Sequence, residues 1–152
     1  MDFKKDVGIL IVDDEKEMIF DVMKEMLAIV GFPPENIFYS RDNEEALRIF
    51  LANEKIKIVF CDIDRIFDSI EIEINDESIS IIHKRVREHT GHNLVSMIKD
   101  GTDRTFSFVI NSGYSPDYLN EIAKEVGASG YITKPFRMEE LADLTKRLSD
   151  LY

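Results

Sequence analysis

Cysteine is almost missing from this chain: Cys61 stands alone among 152 residues, so no disulfide can close within it, and a reducing compartment is the natural setting. No run of apolar residues approaches the length of a membrane span, and the opening Met1-Asp2-Phe3-Lys4-Lys5-Asp6 lacks the apolar core of a signal peptide. Positive charge is in deficit. Nineteen Lys and Arg face thirty Asp and Glu, a net charge of −11 that repels nucleic acid and anionic lipid alike. Gly/Ser linkers, low-complexity tracts and internal repeats are absent, so nothing divides the chain. The expectation is one domain over residues 1–152, cytoplasmic, with neither nucleic acid nor membrane as a direct partner.

What is present is an alternation of short apolar runs and amphipathic stretches, in a chain 44% apolar and 32% charged. Val7 to Val12 reads as a buried strand. Residues 15–30 place Met18, Ile19, Val22, Met23, Met26 and Leu27 at helical spacing, and Gly31 with Pro33-Pro34 stops that helix. Ile37 to Ser40 is a second strand. Asp42 and Glu45 have capping-box spacing ahead of a helix carrying Ala46, Leu47, Ile49 and Phe50. Ile56 to Cys61 is a third strand and Phe106 to Ile110 a fourth. Ser115-Pro116 opens a helix that Gly127 closes, Tyr131 to Thr133 is a short last strand, and Met138 to Leu151 a final helix with Leu141, Leu144, Leu148 and Leu151 on one side. Strands apolar on both faces that alternate with helices imply a five-stranded parallel sheet with helices on both faces.

Ligands of such sheets gather at the carboxyl ends of the strands. The polar residues there are Asp13 and Asp14 after the first strand, Asp62 and Asp64 after the third, Asn111-Ser112-Gly113 after the fourth, and Lys134-Pro135 after the fifth. Three carboxylates crowded on one rim repel one another unless a cation intervenes. Hard oxygen donors without histidine or thiolate favour Mg²⁺ or Mn²⁺ over zinc. A carboxylate can attack phosphorus, and a metal, an ammonium and a hydroxyl can stabilise the charge that spreads over the transferring group.

The segments Ile9-Leu10-Ile11-Val12-Asp13-Asp14-Glu15, Ile58-Val59-Phe60-Cys61-Asp62, Val109-Ile110-Asn111-Ser112-Gly113 and Gly130-Tyr131-Ile132-Thr133-Lys134-Pro135-Phe136 resemble the four signature blocks of response-regulator receiver domains, in that family's order. The resemblance implies a flavodoxin-like fold with strand order 2-1-3-4-5. It implies Asp62 as phosphoacceptor, Asp14 and Asp62 as direct Mg²⁺ ligands (Mn²⁺ can substitute), Asp13 as a ligand through water, and the Asp64 carbonyl completing the set. Ser112 and Lys134 would hold the phosphoryl oxygens, and Tyr131 would turn inward when Ser112 shifts. The donor would be a histidine kinase or histidine phosphotransfer protein. A downstream protein target would bind the face of the fourth helix, fifth sheet strand and fifth helix, roughly residues 114–150, with the chain a monomer or a phosphorylation-dependent dimer. Such a domain is a signalling module rather than an enzyme, catalysing only its own phosphorylation and dephosphorylation.

The chain departs from the family between Asp62 and Gly91, where 28 residues stand in place of a short loop. Residues 65–90 form this insertion. Ile70, Ile72 and Ile74 alternate with Glu71 and Glu73, and Ile79 and Ile81 with Ser78 and Ser80, around an Asn75-Asp76 turn, as in a β-hairpin. A helix from about Ser78, with Ile79, Ile82 and Val86 on one face, fits equally. The insertion reads as a partner surface, a cover over the site, or a plain surface elaboration. His83, His89 and His92 fall close together but lack the further ligands of a zinc site.

Two other functions share these residues. Val59-Phe60-Cys61-Asp62-Ile63-Asp64 also resembles the first motif of haloacid-dehalogenase-type phosphatases, which need an acidic motif after their lysine; here the acidic pair precedes Lys134 and only 18 residues follow it. A phosphorylation-independent binding module on the receiver fold is the other, against which the retained acidic set, Ser112 and Lys134 argue.

Overall fold

The computed structural model describes residues 6–62, 65–75, 78–88 and 90–152, with side chains described for 6–62 and 93–152. Five parallel strands form the central sheet: β1 (Gly8–Val12), β2 (Ile37–Ser40), β3 (Ile56–Asp62), β6 (Ser107–Ser112) and β7 (Gly130–Thr133). Their spatial order is β2-β1-β3-β6-β7, which is the order 2-1-3-4-5 of the flavodoxin-like class once the two inserted strands are set aside.

Alternation along each strand builds two cores. Ile9 and Ile11 of β1, Ile58 and Phe60 of β3, Val109 of β6 and Ile132 of β7 pack under α1 (Asp21–Val30) and α5 (Met138–Ser149). Leu10, Val12, Val59, Cys61, Phe108 and Ile110 pack on the opposite face under α2 (Asn43–Ala52), α3 (Thr90–Gly101) and α4 (Pro116–Val126). Each fully buried aliphatic side chain contributes about 1.5–3 kcal/mol of transfer free energy.

The helix ends follow local chemistry. The Asp42 carboxylate accepts from the Glu45 N–H at 2.8 Å, and Ser115 caps α4 with Pro116 in its first turn. Gly31 and Gly127 take the left-handed conformation that ends α1 and α4.

The first helix departs from the even spacing read in the sequence. It enters through a π-helical turn, Lys16–Phe20, before becoming α-helical at Asp21. The extra residue in that turn rotates the apolar face. Ile19, Phe20, Met23 and Leu27 are buried, while Met18 and Val22 are 72% and 39% exposed. Leu151 lies beyond the end of α5 and is exposed.

Between β3 and α3 the chain runs through β4 (Arg65–Asn75) and β5 (Ser78–Glu88), which pair antiparallel from Arg65↔Glu88 to Asn75↔Ser78 in a two-stranded sheet of their own. Of the two structures compatible with this segment's pattern, the hairpin is the one formed. The side chains of His83 and His92, and all of His89, lie outside the described parts.

Candidate functional site

The alternation that builds the α1/α5 core has a consequence at the rim. Two residues beyond Ile11 is Asp13, beyond Phe60 is Asp62, beyond Val109 is Asn111, and beyond Ile132 is Lys134. A strand's side chains repeat every second residue, so each apolar row on this face ends in a polar group, and the four meet where the strands stop.

Their geometry is tight. One ligand oxygen each from Asp13, Asp14 and Asp62 falls within 4.8 Å of the others. Lys134 Nζ donates to Asp13 Oδ2 at 2.8 Å and to Asp62 Oδ2 at 3.2 Å. Asp13 is fully buried, and Asp62 is nearly so. Asp13 Oδ1 accepts from the Glu15 N–H at 2.9 Å, which locks the carboxylate against the turn that follows β1. The Tyr39 hydroxyl donates to the Asp13 carbonyl at 2.8 Å while its ring packs on Phe20. The π-helical turn, by burying Phe20, thus helps anchor the acidic pair from the side of β2.

Burial alone would draw the Lys134 ammonium down. The charge of Asp62 and the hydrogen bond and charge of Asp13 outweigh it and hold the group above its ordinary value. Burial raises the Tyr39 phenol, helped by Asp13, Asp14 and Glu45 and opposed by Arg41, so its hydroxyl remains a donor.

Ser112 and Tyr131 have the opposite parity and lie on the α2–α4 side of the sheet. Ser112 ends β6 beside Thr133, its Oγ accepts from the Tyr114 N–H at 3.3 Å, and its carbonyl accepts from the Lys134 N–H at 2.8 Å. Tyr131 is half-buried against the core cluster of that face. Tyr114 and Tyr118 meet edge to face, centroids 4.9 Å apart, at the start of α4. The peptide between Lys134 and Pro135 is cis. Asp64 lies outside the described residues.

Asn111 is the site residue that sequence reasoning passed over. It stands among the polar residues after the fourth strand, with no role assigned to it there. The structure keeps it within β6, fully buried, with Nδ2 donating to Asp13 Oδ2 at 3.3 Å. Its parity with Val109 is the signal that would have found it.

Three carboxylates and one ammonium leave two negative charges in a pocket of hard oxygens. That residue fits a small divalent cation in both charge and donor type. Among the described residues, no helix is long and apolar enough to cross a membrane.

No family model matches the chain. A transcriptional regulatory protein of Bacillus subtilis (strain 168), YvrH, is 29% identical over 138 residues, which are 91% of this chain and 47% of that protein; the chain therefore spans about half the length of this curated relative. Among solved structures, the receiver domain of NtrX from Brucella abortus superposes with a TM-score of 0.67 at 23% identity, covering 95% of this chain and 100% of that one. A response-regulator receiver domain protein from Clostridium thermocellum gives 0.66 at 21% identity and 95% coverage of both chains. The chemotaxis protein CheY4 of Vibrio cholerae gives 0.65 at 18%, covering 93% and 98%. In strand order, helix placement and superposition, this chain has the receiver-domain fold of two-component response regulators.

Proposed function

We propose that the chain is a response-regulator receiver that accepts a phosphoryl group on Asp62 in a Mg²⁺-dependent reaction, with Mn²⁺ able to substitute. The observation that carries this reading is the convergence of Asp13, Asp14 and Asp62 within 4.8 Å, with Lys134 bonded to two of them. Asp14 and Asp62 would hold the cation directly, Asp13 through water, and the backbone carbonyl of Asp64 would complete the protein ligands. Bound there, the cation supplies charge neutralisation of the phosphoryl oxygens.

In this reading a carboxylate oxygen of Asp62 attacks the phosphorus of a phosphohistidine on a histidine kinase or phosphotransfer protein. A new P–O bond forms as the P–N bond breaks, and the leaving imidazole takes up a proton. The product is a mixed anhydride on Asp62. Lys134 turns from the Asp62 carboxylate to a phosphoryl oxygen, and Ser112 gives up the Tyr114 N–H to donate to another. Tyr131 follows into the space behind Ser112. The face of α4, β7 and α5 changes with it, including a groove of about 340 Å³ lined by Pro116, Tyr131, Ile132, Thr133, Glu140 and Leu144, where a downstream protein would read the state.

The test is labelling by a small acyl-phosphate donor. One phosphoryl group per chain is expected with Mg²⁺, none in EDTA and none in Asp62→Asn. Sustained hydrolysis of a phosphomonoester would favour the phosphatase reading instead. A folded, Mg²⁺-bound chain that stays unlabelled would leave a binding module.

A further inference from the structure

Asn111 has none of the roles given above, yet it occupies an expensive position. It pairs in register with Asp62, ends an apolar row, and is fully buried where a leucine or valine would be ordinary. Its Nδ2 donates to Asp13 Oδ2, the oxygen that Lys134 also engages. Its Oδ1 is buried with no hydrogen-bond partner among the described residues. Turning the amide over would set oxygen against carboxylate oxygen, so charge dictates the orientation. A buried acceptor left unsatisfied carries a desolvation penalty that an apolar residue here would avoid.

A hydrated divalent cation offers what this atom lacks. Magnesium keeps several waters when it binds protein carboxylates, and each polarised water is a strong donor that needs an acceptor. An amide oxygen accepts without adding charge, so it leaves the balance of three carboxylates, one ammonium and one divalent ion intact. An aspartate in its place would upset it.

We propose that Asn111 is a positioning residue of the cation site: its N–H, together with Lys134, holds the Asp13 carboxylate in place, and its Oδ1 accepts a hydrogen bond from a water on the cation. The inference rests on the Mg²⁺-dependent reading of the site and adds to it the means by which a buried amide sets metal affinity.

The experiment compares wild type, Asn111→Leu and Asn111→Ser by calorimetric titration with MgCl₂ and by urea denaturation in EDTA. Asn111→Leu is expected to stay close to wild-type stability without metal, because losing the donor to Asp13 is offset by losing the orphaned acceptor. Both variants are expected to bind Mg²⁺ about tenfold or more weakly, the usual effect of removing a group that supports a metal ligand. Wild-type Mg²⁺ affinity in a folded variant overturns the inference, as does a loss of metal-free stability with affinity unchanged, which would make Asn111 a purely structural residue. If only one variant folds, its affinity decides. A wild-type chain that binds no Mg²⁺ overturns the underlying reading of the site, and that result is distinct from equal binding by wild type and variant.

Discussion

Lys134 and Asp13, 121 positions apart in sequence, meet at 2.8 Å in an ion pair whose carboxylate is fully buried. The same ammonium reaches Asp62 at 3.2 Å. It acts as the resident counterion for both carboxylates. Removing it leaves Asp13 charged, buried and short of a partner, a loss of about 3–5 kcal/mol for a pair of this kind. Lys134→Met should therefore lower stability by that order in EDTA, read by urea denaturation. Its Mg²⁺ affinity should rise, because the cation no longer competes with an ammonium for Asp13 and Asp62. Unchanged stability in EDTA would mean that the pair contributes little.

The same pair has a signature in alkali. The Lys134 ammonium is held above its ordinary value of 10.5. A raised folded-state value means that its contribution is complete below 10.5 and is lost as pH rises through the higher value in the folded protein. The informative quantity is the stability difference between wild type and Lys134→Met in EDTA. That difference should be constant up to about pH 10 and shrink above it. A gap that widens with pH would reverse the sign argued here.

At the opposite end of the sheet Arg104 holds the fold without touching the chemistry. Its guanidinium donates to the carbonyls of Phe50 at 2.6 Å, Asn53 at 2.8 Å and Ile56 at 3.2 Å, and lies over the Phe50 ring. Charged donors of this kind contribute about 1.5–3 kcal/mol each way they are lost, so Arg104→Leu should destabilise by about 3 kcal/mol in urea denaturation. Mg²⁺ affinity, measured on the folded variant, should stay at the wild-type value.

Most of the fold was legible because its signals are local. Apolar runs such as Ile9 to Val12 and Ile58 to Cys61 announce strands buried on both faces, and Asp42 and Ser115 announce helix starts that the structure forms. What was not legible depends on residues far apart. The π-helical turn that turns Phe20 inward and Met18 outward is favoured by the packing of Phe20 on Tyr39, a contact no periodicity encodes. The inserted hairpin and a helix from Ser78 fit the same isoleucines, and only the partner strand from Arg65 to Asn75 decides between them. Asn111 carries no role in the sequence pattern; its register beside Asp62 is what places it within reach of Asp13.

Which carboxylate becomes the mixed anhydride decides the mechanism. Borohydride reduces an aspartyl phosphate to homoserine, so peptide mapping after labelling and reduction marks the modified position. With Mg²⁺ and a small acyl-phosphate donor, homoserine is predicted at position 62 and nowhere else, and in EDTA at no position. Homoserine at 13 or 14, or no modification in a chain that is folded and has bound Mg²⁺, would contradict it.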